Sequence, residues 1–400
     1  MATIAVIGTL DSKGEEHAYL AECIRKCGHE ALLMDVGSGG APTVEPDISR
    51  YQVAEATGVD LESLMQKRDR GECVAAMAAA APVLLSQLVS SGRVQGVISA
   101  GGGGGTAIST AAMRALPLGF PKVMVSTMAG GNTAPYVGTS DVVMFPSIVD
   151  VAGLNSVSLG VFSRAAGAIC GMVEAPPPEH QGRPLVVATM FGNTTACVTE
   201  AKRVLEEAGF EVLVFSACGT GGRTMESLVA SGMVAGVLDL TTTEWADELV
   251  GGVLSAGPHR LEAAGIAGLP TVVAPGCLDM VNFGEPETVP DRFEGRKFYY
   301  HNPQVTLLRT SVEESRQLGG ILAEKINAYR GPVSILMPER GFSAIGEPGG
   351  VFEDQEADAA LMEALESDCG KEVLRFPLAI NDPAFARACA EKLLSLLRGD

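Results

Sequence analysis

Two short stretches hold the residues best suited to bind or turn over a ligand: GTLDSKGEE (8–16) and SAGGGGGTAIST (99–110). The second sets Gly101, Gly102, Gly103, Gly104 and Gly105 between an apolar run and a helical pattern led by Thr106. Successive backbone N–H groups at such a strand-to-helix turn make a concavity for an anion, and the helix N-terminus adds positive potential. Thr106 and Ser109 add hydroxyl donors. The spacing is not the phosphate loop G-x-x-x-x-G-K-[ST], whose lysine is missing, nor G-x-G-x-x-G, since position 106 is threonine. Alone, it reads as an anion cradle or as a slack turn. Lys13 in the first stretch supplies a cation at a helix start, able to meet a phosphate as a point charge. Asp11 suits a ribose or substrate hydroxyl, or Mg²⁺. The bland alternative is a capping turn, with Asp11 and Ser12 as caps and a solvated lysine.

Further candidates follow other apolar runs. Asp35 ends the second run, where an acid commonly takes ribose hydroxyls but also caps turns. Gly130 and Gly131 permit close backbone approach, and Asn132 offers neutral hydrogen bonds. Asp141 and Asp150 read as partnered structural acids. In the second half, Arg223 closes ACGTGGRT and can clamp an anionic substrate group. Asp239 and Glu244 of DLTTTEW suit a general base or a metal. Cys277 is the thiol expected to face a cleft, with His301 as its candidate base. Arg309 ends the same long segment and is a second candidate for substrate binding.

The elements that must position these residues are apolar runs alternating with helical patterns, the mark of βαβ units. Expected strands are 3–8, 30–37, 94–100, 121–127 and 141–147, with a long helix at about 153–173. EAPPPEHQGRP (174–184) reads as a stiff linker, so domains are expected at 1–178 and 184–400. The pattern then restarts, with strands at 184–190, 211–217, 233–240 and 269–276. LVSSGRVQGVIS (88–99) aligns without gaps on LVASGMVAGVLD (228–239), and Gly28-His29-Glu30 matches Gly209-Phe210-Glu211. Two Rossmann-like domains with parallel sheets, related by internal duplication, account for both matches. The first half then carries an insertion over much of 41–80, where APTVEPDISRYQVAEATGVD (41–60) looks irregular, and 281–311 reads as a long functional loop.

A net charge of −19 argues against nucleic acid and anionic membrane as partners, and with only 29 Lys and Arg any buried one is notable. Nine cysteines without a CxxC pair read as reduced, cytoplasmic thiols. No basic leader precedes the first apolar run, and no apolar stretch of membrane length lacks a breaker, so neither a signal peptide nor a span is expected.

TIAVIGTLDSKGEE, DVG, ISAGGGGGTAIST, STMAGGN, APGCLDMVNFG and HNPQVTLLRTS, in this order, resemble the ATP-binding amino-terminal region of the tomato mosaic virus resistance protein and its stand-alone microbial relatives. The resemblance implies two Rossmann-like domains, homodimers or larger homo-oligomers, and ATP in the first domain. It implies that Thr9, Asp11, Ser12 and Lys13 lie at the nucleotide, with Gly101–Thr106 and Gly130–Asn132 nearby. It supplies no reaction. One reading is an enzyme of small-molecule metabolism with ATP and Mg²⁺ in an interdomain cleft; the other is a nucleotide-binding accessory module without turnover.

Overall fold

The computed structural model describes residues 1–67, 69–176 and 182–399. The chain divides into two compact units, Met1–Glu179 and His180–Asp400. Part of the expected linker, residues 177–181, lies outside the described residues.

The first unit runs β1 (Thr3–Gly8), α1 (Leu10–Lys26), β2 (Glu30–Asp35), α2 (Arg50–Glu55), α3 (Leu61–Gln66), α4 (Arg70–Ser90), β3 (Gly96–Gly101), α5 (Gly103–Arg114), β4 (Lys122–Ser126), α6 (Ala134–Val137), β5 (Val143–Pro146) and α7 (Ser156–Glu174). Its five strands are all parallel, in the order β2-β1-β3-β4-β5. Such a sheet is buried on both faces, so TIAVIG and GVISAG are near-continuous apolar runs and not alternating ones. On one face Met77, Ala80, Ala81 and Leu85 of α4 pack on Ile7, Met34 and Val97. On the other, Leu20 and Ile24 of α1 and Phe162, Ala166 and Ile169 of α7 pack on Val6, Ile98 and Val125.

The second unit runs β6 (Leu185–Met190), α8 (Thr195–Glu207), β7 (Glu211–Ser216), α9 (Thr220–Ala230), β8 (Gly236–Thr241), α10 (Glu244–Val250), α11 (Ala263–Ala267), β9 (Thr271–Gly276), β10 (Met280–Phe283), β11 (Phe298–Asn302), β12 (Val305–Arg309), α12 (Val312–Asn327), β13 (Val333–Pro338), α13 (Gln355–Asp368), β14 (Glu372–Phe376) and α14 (Pro383–Arg398). Six strands form a parallel sheet ordered β14-β13-β9-β8-β6-β7, and β10-β12-β11 form a small antiparallel one.

Counted in chain order within each unit, both parallel sheets begin second, first, third, fourth, fifth. The duplicated segments occupy equivalent places: each ends in the third strand, β3 or β8, beside the first. The matching glycines do the same work. Gly28 (φ 88°), Gly209 (φ 95°), Gly92 (φ 70°) and Gly232 (φ 78°) all end helices in the left-handed region that side chains avoid.

Three expectations change. The stretch 41–80 is not simply irregular; it carries α2, α3 and the first half of α4, with Ser49, Asp60 and Asp69 as side-chain caps. Segment 281–311 is not one long loop: it carries the small sheet, whose β11–β12 turn is only two residues long, with the irregular stretch confined to the β10–β11 connection. Two helices, Gly71–Ser90 and α7, are long and apolar enough by length and composition to cross a membrane. In the structure each lays its apolar side on the first sheet, α4 with Pro82 inside it.

Candidate functional site

In a parallel sheet of this strand order, the first and third strands lead their connections to opposite faces, and ligands bind beyond their carboxyl ends. In the first unit those ends are Gly8 and Gly101. A cavity of about 670 Å³ opens there, the size of a small-molecule site. Thr9, Asp11, Ser12 and Lys13 line it from the start of α1, Gly101–Gly105 from the start of α5, and Ser38–Gly40 from the loop after β2. Met65, Cys73, Val74 and Ile108 give it an apolar wall, and Asp69 and Asp150 add carboxylates at the rim. Among the described lining residues Lys13 is the only cation.

The glycine loop answers for itself. Gly102 is the N-cap of α5 in extended geometry and no side chain caps the helix. The first amide of the helix with an i−4 partner is that of Thr106, donating to the Gly102 carbonyl at 2.9 Å. The amides of Gly103, Gly104 and Gly105 are therefore left without intrahelical acceptors at the positive end of the helix. None of Gly101–Gly105 has positive φ. A Cβ on Gly103 would meet nothing within 4 Å, and on Gly102 or Gly105 only atoms at 3.8 Å and 4.0 Å. Neither backbone conformation nor crowding by the chain requires glycine at these three positions. The room they leave is cavity.

The lysine loop is built differently from the capping turn considered above. Thr9, not Asp11 or Ser12, is the N-cap of α1. Ser12 bonds back to Thr9 through its hydroxyl, at 3.1 Å to Oγ1. Lys13 leaves helical geometry (φ −134°, ψ 27°), breaking α1 after its first turn. Asp11 accepts the Gly39 amide at 2.6 Å and so ties the loop after β2 to the cavity.

Behind Asp11 stands a residue the motif reading missed. Arg50, 3% exposed, donates through Nε to Asp35 at 2.7 Å and through Nη1 to the Gly40 carbonyl at 2.9 Å. Its Nη1 is 3.6 Å from Asp11, and its Nη2 is buried without a partner among the described residues. The signal available was the scarcity of basic residues together with the Ser49 capping box that starts α2.

Other expected residues are employed elsewhere. Asp35 is buried and fully engaged by Arg50 and by the amides of Leu10 (3.1 Å) and Gly37 (2.9 Å), so it is a scaffold acid and not a ribose ligand. Thr106 is buried with its hydroxyl on Ser126 at 2.6 Å and does not line the cavity. Gly130, Gly131 and Asn132 lie on an exposed turn that is not among the lining residues, where Asn132 accepts the Ala134 amide.

In the second unit the equivalent strand ends carry an ionic network instead. Arg260, 1% exposed, grips Asp239 with both Nη atoms at 2.5 and 2.7 Å and donates through Nε to Glu244 at 2.7 Å. Glu244 also accepts the amides of Gly219 at 2.7 Å and Gly222 at 3.1 Å. It is buried and held by these three hydrogen bonds, and burial raises its carboxyl above the usual range against the pull of Arg260. Cys277 is fully buried beside Met280, Leu307 and Phe352, and burial pushes its thiol well above the usual range, which disfavours a thiolate there. His301 is exposed on β11. Arg309 is buried and committed to the Phe352 carbonyl at 2.8 Å and to Asp358 at 2.5 Å. Arg223 is exposed and reaches the Ser255 carbonyl at 2.9 Å.

Comparison with known proteins agrees with the duplicated architecture. Residues 2–178 match the N-terminal domain and residues 183–397 the C-terminal domain of the uncharacterised protein family UPF0261. A UPF0261 protein of Clostridium tetani is 47% identical over 398 residues, covering 98% of each chain. The ToMV resistance protein Tm-1(GCR237) of Solanum lycopersicum is 39% identical over 417 residues, covering 98% of this chain and 55% of that protein. Among solved structures, the UDP-N-acetylglucosamine 2-epimerase of Rickettsia bellii aligns over 99% of this chain and 96% of its own, at 11% identity and a TM-score of 0.22, too low to bear on chemistry. By matches that together cover nearly all of its length, the chain belongs to the UPF0261 family.

Proposed function

We propose that the first unit binds a phosphate-bearing small molecule, with a nucleotide, ATP foremost, as the ligand class. The observation that carries this reading is the run of glycines that opens α5. At Gly102, Gly103 and Gly105 the missing side chains relieve no crowding and serve no left-handed backbone, yet they keep a 12-residue helix's uncapped N-terminus open to the cavity. Lys13 adds the charge that this loop lacks. The apolar wall of Met65, Val74 and Ile108 suits the uncharged body of the ligand.

Asp11, Asp69 and Asp150 around the same cavity would repel a bare polyphosphate. Among the described residues no three side chains are placed to cage a metal. Mg²⁺ therefore fits only as a companion of the phosphates, held by them and by one or two carboxylates. Bound so, it would screen phosphate charge. Binding, not a named reaction, is what this site supports. Turnover would need a base and an acceptor, and of the candidates from the second half Glu244 and Cys277 are buried in their own unit, while His301 is exposed on β11.

The test is calorimetric titration with ATP, ADP and inorganic phosphate, with and without Mg²⁺, alongside an assay for released phosphate. Saturable ATP binding weakened about 10–100-fold by Lys13→Ala is the expected result, the equivalent of about 1.5–3 kcal/mol for a charge-assisted contact. No saturable binding of any of the three, or equal binding by the variant, refutes the phosphate assignment. Phosphate release that depends on Lys13 would instead establish an enzyme.

A further inference from the structure

We propose that His17 is a positioning residue that holds the two ligand loops in register; the inference rests on the ligand reading above. Three segments of the site meet on this one imidazole. Its Nδ1 lies 2.6 Å from the carbonyl of Lys13, at the break in α1. The amide of Ala100, the residue before the glycine run, donates to its Nε2 at 3.4 Å. Gly8, the last residue of β1, has no space for a Cβ because the ring would lie 2.3–2.4 Å from it.

The two contacts fix the tautomer. An N–H facing Nε2 makes that nitrogen the acceptor, so Nδ1 carries the proton and donates to Lys13. The ring is fully buried. Burial lowers its pKa below the ordinary value and outweighs the opposing pull of the Lys13 and Ile7 backbone and of Glu16 and Asp35. Those two carboxylates are engaged already, Glu16 by the Gly153 amide at 2.7 Å and Asp35 by Arg50 at 2.7 Å. A proton added at Nε2 would set two donors against each other, N–H on the ring and N–H on Ala100. The clamp therefore holds only while the ring is neutral. It keeps Lys13 out of helical geometry and the first glycine in place at once, which a helix cap serving α1 alone would not do.

Two variants separate this role from mere core packing. In His17→Asn the amide nitrogen stands near Nδ1 and keeps the bond to Lys13. In His17→Gln the side-chain oxygen stands near Nε2 and keeps only the Ala100 contact. The probes are Mg–ATP and inorganic phosphate, measured by calorimetry from neutral to acid pH, with urea unfolding as the stability control. The expected result is that each variant, having given up one of the two contacts, loses about tenfold, the worth of one hydrogen bond near the upper end of its usual range. Wild-type affinity should fall on acidification, and that of the Asn variant should not follow it. Equal affinities and identical pH profiles in all three proteins would overturn the proposal. Should the wild type bind neither probe, the ligand reading fails by itself. The clamp is then judged by NMR. Amide signals of Gly101–Gly105 that move in the Asn variant, which has lost the Ala100 contact, and stay in the Gln variant support it, and equal movement in both overturns it.

Discussion

Replacing Arg260 by methionine should cost the second unit about 3–5 kcal/mol, the usual loss when one partner of a buried ion pair is removed. The guanidinium is the only positive group in contact with Asp239 and Glu244 among the described residues, and it also reaches Glu226 at 3.3 Å. Without it, buried carboxylates face one another with no counterion. Methionine fills much of the volume but none of the charge. Burial already holds the Glu244 carboxyl above its ordinary value, and without the opposing guanidinium it rises further. The folded protein will hold more protons than the unfolded one, so stability rises as pH falls. The defect should thus be worst at alkaline pH and shrink on acidification. Trp245, the chain's single tryptophan, is buried in α10 next to Glu244 and reports unfolding of this unit directly by fluorescence. An unchanged urea midpoint in Arg260→Met would show that the network contributes nothing. Adding Asp239→Asn and Glu244→Gln to the methionine variant should recover part of the loss, because neutral amides remove the repulsion.

The second large effect has opposite signs in stability and in binding. Gly103→Asp should abolish binding of a phosphate ligand, by more than about 100-fold, while the first unit becomes no less stable. Gly103 is the first residue of α5, exposed, with open space where a side chain would go. Glycine in a helix is worse than alanine by about 0.5–1 kcal/mol, and an acid in the first turn gains about 0.3–1 kcal/mol from the helix dipole. The helix therefore gains from the substitution. The cavity loses, because a carboxylate then occupies the place of the ligand's anion and takes the amides meant for it. Thermal melting and calorimetric titration of the same preparation check both signs. A clear drop in melting temperature, or unchanged affinity, would mean that these glycines serve the fold alone. Gly103→Ala is the control, with the helix gain but no added charge.

The alternation of apolar runs and helical patterns was enough to place β1–β5 and β6–β9, and the repeated segments to pair the two sheets. Of the site, Thr9, Asp11, Ser12, Lys13 and Gly101–Gly105 were legible because they follow strands directly, and the chain direction alone decides which end of the sheet they reach. Asp35 and Glu244 were misread for a common reason. Each is neutralised by an arginine 15 or 16 residues further on, Arg50 or Arg260. No spacing rule shows that an intervening loop folds back to deliver it. Cys277 misled because a strand-end thiol looks accessible in sequence; its positive φ (58°) and the cover provided by the small antiparallel sheet and Phe352 are tertiary facts. The wall formed by Met65, Cys73 and Val74 was hidden because 41–80 was read only as an insertion, with α3 and the start of α4 unplaced.

Aligned through the repeat, Gly104 of the first unit corresponds to Glu244 of the second. Where one copy of the fold leaves a gap lined with free amides, the other has grown its own anion and its own cation to hold it. The second copy is, in effect, permanently loaded, with a prosthetic ligand made of side chains. Among the described residues, the place in the second unit that matches the cavity is filled by side chains. On the reading proposed for the first unit, only that half owes part of its folding free energy to the concentration of a solute, while the other carries its counterpart in the covalent sequence.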